Sequence, residues 1–237
     1  MKKKKKRAAG RLPTGGALRA GSADSLFPSA ISRESPIFEG YQTAFVRIYQ
    51  NTGAGENDLN GPGNLLNANA VGMGIEVYMT PQSQPTGKYC AQQLYEAFTF
   101  VTNSGIRIVS LWFQVTSPSN WSPSQLENKN FIQSCINEAP SLGIRLQIYT
   151  NAYEWQEITG GWTGHPLMNL WYWDYNGPGP SGSSSCTFSD FLPFGGWTNA
   201  QVKKYASLVY MCGTYVGLNC YSVNKDETNA ITFISEA

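Results

Sequence analysis

A strand-like segment of this chain ends in two neutral polar side chains that share one face. Residues Ile106–Val109 are mostly β-branched, and Ser110–Pro118 continues them into a Ser/Pro loop, a pattern typical of a strand and its exit loop. Gln114 and Thr116 lie two positions apart and therefore point to the same side. Parallel α/β folds carry their chemistry at the carboxyl ends of strands, so a catalytic pair is expected here. Neither side chain can release a proton near neutral pH.

Two carboxylates elsewhere could supply the proton that this pair lacks. Glu76 is flanked by apolar residues on a strand-like segment, and burial inside a barrel would raise its pKa into the range of an acid catalyst. The alternative is a structural Glu that hydrogen-bonds Arg47 or Arg107. Asp174 ends a Trp-rich segment, where it either faces the same cavity or anchors a surface loop. Glu76 and Asp174 are therefore the candidate catalytic residues.

The elements that must position these residues alternate between strand and helix. The predicted strands are 43–49, 74–79, 107–116, 144–149 and 170–175, and the predicted helices are 60–72, 89–103, 124–142, 153–158 and 198–211. Regular alternation with short loops indicates a parallel sheet with right-handed crossovers, and the continuous apolar runs of the strands indicate that both sheet faces are covered. The predicted fold class is an α/β barrel.

Composition and charge narrow the function classes. The 237 residues suffice for one large domain, and aromatic residues (13%) are nearly as frequent as charged ones (14%). Residues 1–33 hold nine of the seventeen Lys and Arg, so the remaining chain carries eight basic and fifteen acidic residues. A domain with a net charge of −7 repels phosphates, which argues against nucleic-acid binding.

The first 36 residues differ from the rest and define the domain boundaries. They hold a basic run and then an Ala/Gly/Ser/Pro-rich stretch, which predicts a disordered tail; a basic targeting patch and a transit-like segment are the alternatives. No apolar run follows that is long enough for a signal peptide, and no segment has the length and hydropathy of a membrane span. The predicted organisation is a tail (1–36), a barrel domain (37–222) and a short extension (223–237).

The cysteines and the single histidine give no metal or cofactor signature. Five cysteines show no C-x-x-C spacing, and His165 is expected in a loop. Cys212 and Cys220 could close a short disulfide loop, although the odd total leaves one thiol over. Asn120 begins a glycosylation sequon, which is only weakly informative. No metal and no cofactor are therefore expected.

Several motifs together resemble one known family. They are Phe45–Tyr49, Gly74–Gln82, Leu111–Pro118, Ile148–Asn151 with Trp155, and Leu170–Trp173, and the match runs in order over residues 38–222. The set is similar to the invertebrate branch of the glycoside hydrolase family 25 lysozymes. This resemblance implies a flattened, TIM-like β/α barrel that cleaves the glycan of bacterial peptidoglycan. It also implies an extracellular protein of digestion or innate defence, although this chain carries no signal peptide.

The departures from the family pattern bear on activity. The family's Asp-x-Glu pair falls on Gln114 and Thr116, its late Asp falls on Asn219, and its first strand, with an Asp-x-Ser motif, has no counterpart in the sequence. The barrel is therefore expected either to lack its first strand or to replace it. Glycoside hydrolysis needs a carboxylic acid and a second stabilising charge, which the neutral pair cannot provide.

Two functions remain open at this stage. One is a peptidoglycan hydrolase with reassigned acids, Glu76 and Asp174; the other is a non-catalytic homologue that binds cell-wall glycan. Glu154 and Glu157 flank Trp155 beyond a strand end, where a solvated helical turn is favoured for both carboxylates. Because sugars stack on aromatic faces, and Gln114 can bond a sugar amide, the expected substrate-binding residues are Tyr78, Trp112, Gln114, Tyr149, Trp155 and Trp173. A monomer is expected.

Overall fold

A ring of strands with helices on its outside forms the body of the protein. The computed structural model describes residues 19–23, 41–84, 88–211, 214–222 and 231–233. The strands are β1 (Arg19–Ala23), β2 (Tyr41–Gln50), β3 (Glu56–Asn57), β4 (Gly74–Met79), β5 (Ile106–Ile108), β6 (Ser110–Gln114), β7 (Arg145–Thr150), β8 (Leu170–Trp173), β9 (Val202–Met211), β10 (Thr214–Tyr221) and β11 (Ile231–Phe233). The helices are α1 (Gly61–Ala70), α2 (Cys90–Asn103), α3 (Gln125–Glu138) and α4 (Ala152–Thr159).

Eight of the strands pair into a closed order. Their sequence around the ring is β1-β10-β9-β8-β7-β6-β4-β2, and β1 pairs again with β2. All neighbouring pairs from β1 through β2, β4, β6, β7 and β8 to β9 are parallel, while β10 runs antiparallel to both β9 and β1. The predicted α/β barrel is confirmed by this topology.

Two expectations about individual elements are wrong. Arg19–Ala23 forms β1 between β2 and β10, so the ring has a first strand, and it comes from the segment predicted to be a disordered tail. The other residues of 1–36 lie outside the described residues. The predicted helix 198–211 is instead β9, because an extended chain here can hydrogen-bond both β8 and β10, and such tertiary pairing overrides a weak local helix preference.

Side chains separate into an interior and an outer apolar layer. The ring encloses a mainly aromatic cluster made of Phe45, Tyr78, Trp112, Tyr149, Trp171, Val202 and Tyr221. The alternate residues of the same strands face outward and pack against the helices, as Val77 and Phe113 do. Ser124 and Asn151 cap α3 and α4 through their side-chain oxygens, which fixes where these two helices begin.

One disulfide ties two of the outer helices together. Cys90, the first residue of α2, is bonded to Cys135 in α3. The suggested pairing of Cys212 with Cys220 is wrong, because Cys220 is buried on β10 without a disulfide; Cys212 itself lies outside the described residues. In the described part of the chain, no helix is long and apolar enough to cross a membrane.

Removal of β1 tests the closure of the ring. Deleting residues 1–23 leaves one edge each of β2 and β10 unpaired, and we expect the thermal midpoint to fall by at least about 4 °C, the equivalent of about 1–2 kcal/mol in a chain of this size. Differential scanning calorimetry measures the change. Deletion of residues 1–17 alone keeps the strand and is the matched control; equal losses in both variants would contradict a role for β1.

Candidate functional site

A polar cavity of about 300 Å³ lies beside the carboxyl ends of β2, β4 and β6. Seven of its nine lining residues are polar, and among these lining residues none carries a carboxylate. They are Arg47, Asn51, Thr80, Pro81, Gln114, Thr116, Ser117, Asn120 and Trp121. A larger cavity of about 570 Å³ lies at the opposite ends of β7 and β8, where its lining includes Leu146, His165 and Met168. Because barrels carry their chemistry at the carboxyl ends of strands, the polar cavity is the candidate site.

Gln114 and Thr116 form a short hydrogen-bonded chain inside this cavity. Thr80 Oγ1 donates to Gln114 Oε1 at 2.6 Å, and Gln114 Nε2 donates to Thr116 Oγ1 at 2.8 Å. The Gln114 amide keeps one donor and one acceptor position beyond these two bonds. The pair can therefore hold a hydroxyl or amide of a ligand in place, but it has no proton to give.

The loop that leaves β6 is held in an uncommon backbone conformation. Ser117 has φ +58°, a left-handed value that non-glycine residues rarely adopt. Two contacts hold the turn: Trp121 Nε1 donates to the carbonyl oxygen of Thr116 at 2.9 Å, and the Ser117 amide donates to Glu154 Oε1 at 2.7 Å. Backbone strain of this kind is concentrated at functional sites in proteins.

Glu154 lies under this loop as a buried carboxylate, not on the solvated helical turn that was predicted. It is 7% exposed, and its second oxygen, Oε2, accepts a 2.7 Å hydrogen bond from Trp173 Nε1. Burial raises the pKa of Glu154, against the hydrogen bonds from Ser117 and Trp173, which lower it. Among the described residues, no Lys, Arg or His forms an ion pair with it.

The other glutamate, Glu76, lies deep within the ring. It is 8% exposed, and its carboxylate accepts hydrogen bonds from Trp112 Nε1 at 3.0 Å and from the Tyr221 hydroxyl at 3.2 Å. The inward orientation considered for Glu76 is therefore the one that the structure has. Trp112 and Tyr221, two of its partners, belong to the aromatic cluster inside the ring.

Asp174 lies on the opposite side of the sheet from Glu76. It follows Trp173 and hydrogen-bonds the side chain of Asp190, which raises the pKa of Asp174. Asp190 in turn accepts from the Tyr172 hydroxyl at 2.8 Å and pairs with the fully buried Lys203. Tyr172 and Lys203 alternate with the inward residues of β8 and β9 and so belong to the outer layer. The structure does not bring Glu76 and Asp174 into one cavity.

The six residues predicted to bind substrate fall into three groups in the structure. Tyr78, Trp112 and Tyr149 are buried in the interior cluster, where Tyr149 stacks on Trp171 with 3.9 Å between ring centroids. Trp155 is buried outside the ring, against Trp162 and Trp197. The third group comprises the half-buried Trp173, at the end of β8, and the non-aromatic Gln114, which lines the cavity.

Two further buried polar groups line the interior of the ring beside these aromatics. Lys204 is 7% exposed, and its ammonium lies 6.0 Å from the centre of the Tyr149 ring. Asn219 accepts a hydrogen bond from Trp171 Nε1 at 3.0 Å, and its amide nitrogen is buried without a partner in the structure. Among the described residues no cluster of His, Cys, Asp or Glu could hold a metal ion.

Comparison with known sequences identifies the family. The sequence profile described as Lysozyme-like protein 1 matches residues 30–205. "Probable GH family 25 lysozyme 2" of Dictyostelium discoideum is 34% identical over 183 residues, which cover 77% of this chain and 81% of that protein. The chain belongs to the glycoside hydrolase family 25 lysozymes.

Nematode relatives and a solved fungal structure are also similar to this family 25 chain. "Lysozyme-like protein 2" of Caenorhabditis elegans is 43% identical over 185 residues, covering 77% of this chain and 66% of that protein. The chain spans between 61% and 66% of the length of four such nematode relatives. A family GH25 lysozyme from Aspergillus fumigatus superposes with a TM-score of 0.66 over 87% of this chain and 94% of that one, at 15% identity, which establishes the shared fold.

Within family 25, the neutral pair Gln114 and Thr116 is the feature of this chain that bears on activity. Around the ring, β6 is the fourth strand when β1 is counted as the first, and Gln114 and Thr116 lie at and just beyond its end. The sequence predicted Gln114 and Thr116 at a strand end, where the structure has them, but it assigned Glu154 to solvent. The position of Glu154 three residues after the capping Asn151 gave no signal of its burial, because a glutamate there ordinarily folds back to the cap.

The outer carboxylate pair is expected to be structural. Asp190→Asn leaves the buried Lys203 ammonium without its carboxylate, so we expect the free energy of unfolding to fall by about 3 kcal/mol. Asp174→Asn is the matched control, because an amide can still donate the hydrogen bond to Asp190. Urea unfolding of both variants measures the difference, and a stable Asp190→Asn protein would show that the pair contributes little.

Proposed function

We propose that this protein binds the glycan strands of bacterial peptidoglycan at the polar cavity, and that the positions of the family's acid pair hold the glycan without cleaving it. The observation that carries the proposal is the hydrogen-bonded chain Thr80–Gln114–Thr116, which occupies those positions. In place of two carboxylates the cavity offers hydroxyl, amide and guanidinium groups. Such groups pair with sugar hydroxyls and acetamido groups.

The cavity also supplies a face against which a sugar ring can pack. Trp121 lines it, with its ring fixed by the hydrogen bond to the Thr116 carbonyl and by edge contact with Phe131. A rigid aromatic wall beside polar groups suits a ligand with one apolar face and a polar rim. Together with family membership, this favours a polysaccharide over a charged or purely apolar ligand.

The proposal places the protein outside the cell, as a monomer that meets bacterial walls in defence or digestion. Its support is the family, whose members are typically secreted. Peptidoglycan hydrolysis through positions 114 and 116 has no support from the geometry, since glycoside cleavage requires a proton donor at the bridging oxygen.

Binding should depend on the amide of Gln114. Gln114→Ala removes hydrogen bonds to the glycan and breaks the Thr80–Thr116 chain, so we expect affinity for insoluble peptidoglycan to fall about 5- to 10-fold. Gln133→Ala is the matched control, because Gln133 hydrogen-bonds His165 beside the opposite cavity. Co-sedimentation with purified walls measures both variants. A loss confined to Gln133→Ala would place binding at the opposite end.

Carboxylates restored to the neutral pair should restore cleavage there. The double variant Gln114→Asp, Thr116→Glu introduces an acid where the family has one, and we expect clearing of bacterial wall suspensions to rise at least about 100-fold. Gln114→Asn, Thr116→Gln is the neutral control of matching size. If both double variants bind walls and neither clears them, the two positions are not the decisive difference from active relatives.

A further inference from the structure

We propose that Glu154, which lies one hydrogen bond behind the Ser117 wall of the polar cavity, is a proton donor to a glycan held there, and that it gives the chain a slow glycosidase activity independent of positions 114 and 116. This inference rests on the proposed function, because it requires that a glycan occupies the polar cavity. It differs from the sequence-based assignment, in which Glu76 and Asp174 were the candidate acids.

The Glu154 side chain does not make the hydrogen bond that is usual for its position in a helix. It stands three residues after the capping Asn151, whose side chain accepts from the Glu154 amide at 2.8 Å. A glutamate at this position ordinarily folds back to the amide of the capping residue. Here its carboxylate instead bonds the loop after β6, at Ser117, and the end of β8, at Trp173. The segments that follow β6 and β7 therefore meet the end of β8 at the Glu154 carboxyl group.

Both of these hydrogen-bond partners of the Glu154 carboxylate are donors. The Ser117 amide and the Trp173 indole are both N–H donors that keep their protons, and neither can accept one. A protonated Glu154 therefore finds no acceptor in these two partners, and its proton is available to an oxygen that enters from the cleft. Burial without an ion pair among the described residues holds the pKa above that of an ordinary glutamate, which is the property of an acid catalyst.

The Glu154 carboxyl group is bonded to a residue of the cavity wall. Ser117 lines the polar cavity, and it directly follows Thr116, where the family's acid falls. The left-handed conformation of Ser117 directs its amide to Glu154 and so couples the carboxyl group to the cavity wall.

The proposed step balances without any oxidant or cofactor. The protonated Glu154 transfers its proton to the bridging oxygen as the bond between that oxygen and the anomeric carbon breaks, and the bonding pair leaves with the oxygen. Water then adds to the anomeric carbon and returns a proton to the Glu154 carboxylate. Since the neutral pair offers no second carboxylate to stabilise the positive charge, the reaction is expected to be slow.

The test is release of soluble muropeptides from purified peptidoglycan, measured by mass spectrometry between about pH 4 and 8. We expect the unmodified protein to cleave at acidic pH and to lose rate as the pH rises through the raised pKa of Glu154. Glu154→Gln should reduce the rate at least about 100-fold while wall binding persists. Glu157→Gln, on the exposed side of the same helix, is the matched control and should cleave normally.

A second variant separates proton donation from a structural role. Trp173→Phe removes the hydrogen bond that stabilises the Glu154 carboxylate, so the alkaline limb of the pH profile should shift to higher pH. A rate that falls equally at every pH, with the limb unmoved, would contradict proton donation by Glu154. This measurement remains informative even if Glu154→Gln fails to fold.

The outcomes distinguish this inference from the proposed function. Wall binding without cleavage at any pH, or cleavage that survives Glu154→Gln, overturns the role of Glu154 and leaves glycan binding intact. Failure of the unmodified protein to bind walls overturns both. Loss of cleavage in Glu154→Gln with binding retained, together with the limb shift in Trp173→Phe, establishes Glu154 as the proton donor.

Discussion

Closure of the eight-strand ring is the constraint on which the other features of this molecule depend. Each ring strand has two neighbours only because the short β1 bridges β2 and β10. A closed ring of eight strands has an interior just wide enough for its own side chains. Aromatic residues occupy that space here, with Trp171 in contact with Tyr78, Trp112 and Tyr149. A filled interior confines ligand chemistry to the ends of the strands.

The filled ring also determines where charged groups can be accommodated. Inside it, Glu76 is held by an indole and a phenol hydroxyl, while on the outer side Lys203 is held by Asp190. Each arrangement provides hydrogen bonds for a group whose burial would otherwise be strongly unfavourable. The carboxylates of Glu76 and Asp190 are both engaged in these hydrogen bonds. Glu154 differs because its partners lie on the loops at the edge of the cavity.

The site combines features of binding and of catalysis that are usually found together with carboxylates. Its polar lining and fixed tryptophan suit a sugar chain, whereas the positions expected to carry acids satisfy each other through neutral hydrogen bonds. Binding needs only complementary donors, acceptors and an aromatic face, but bond cleavage needs a proton at one oxygen. Glycan binding and bond cleavage therefore depend on different groups of such a site.

The sequence by itself determined the architecture. Apolar periodicity gave the correct order of β2, β4, β6, β7, β8 and the helices between them, because each of these elements buries a face that its own residues encode. The two-residue β3 was not predicted, and the predicted strand 107–116 is divided into β5 and β6. The position of Gln114 and Thr116 at a strand end followed from the same pattern. The family motifs, which are long and mostly on strands, identified the relatives that the comparisons confirm.

Only the tertiary structure decided the features that depend on distant partners. The short, glycine-containing β1 and the lysine-rich β9 have weak local signals, and neighbouring strands make them extended. The direction of Glu154 depends on a loop and a tryptophan far from it in sequence, and the burial of Trp155 depends on Trp162 and Trp197. A sequence specifies a residue's local periodicity, but the packing of separate elements determines which group its side chain meets.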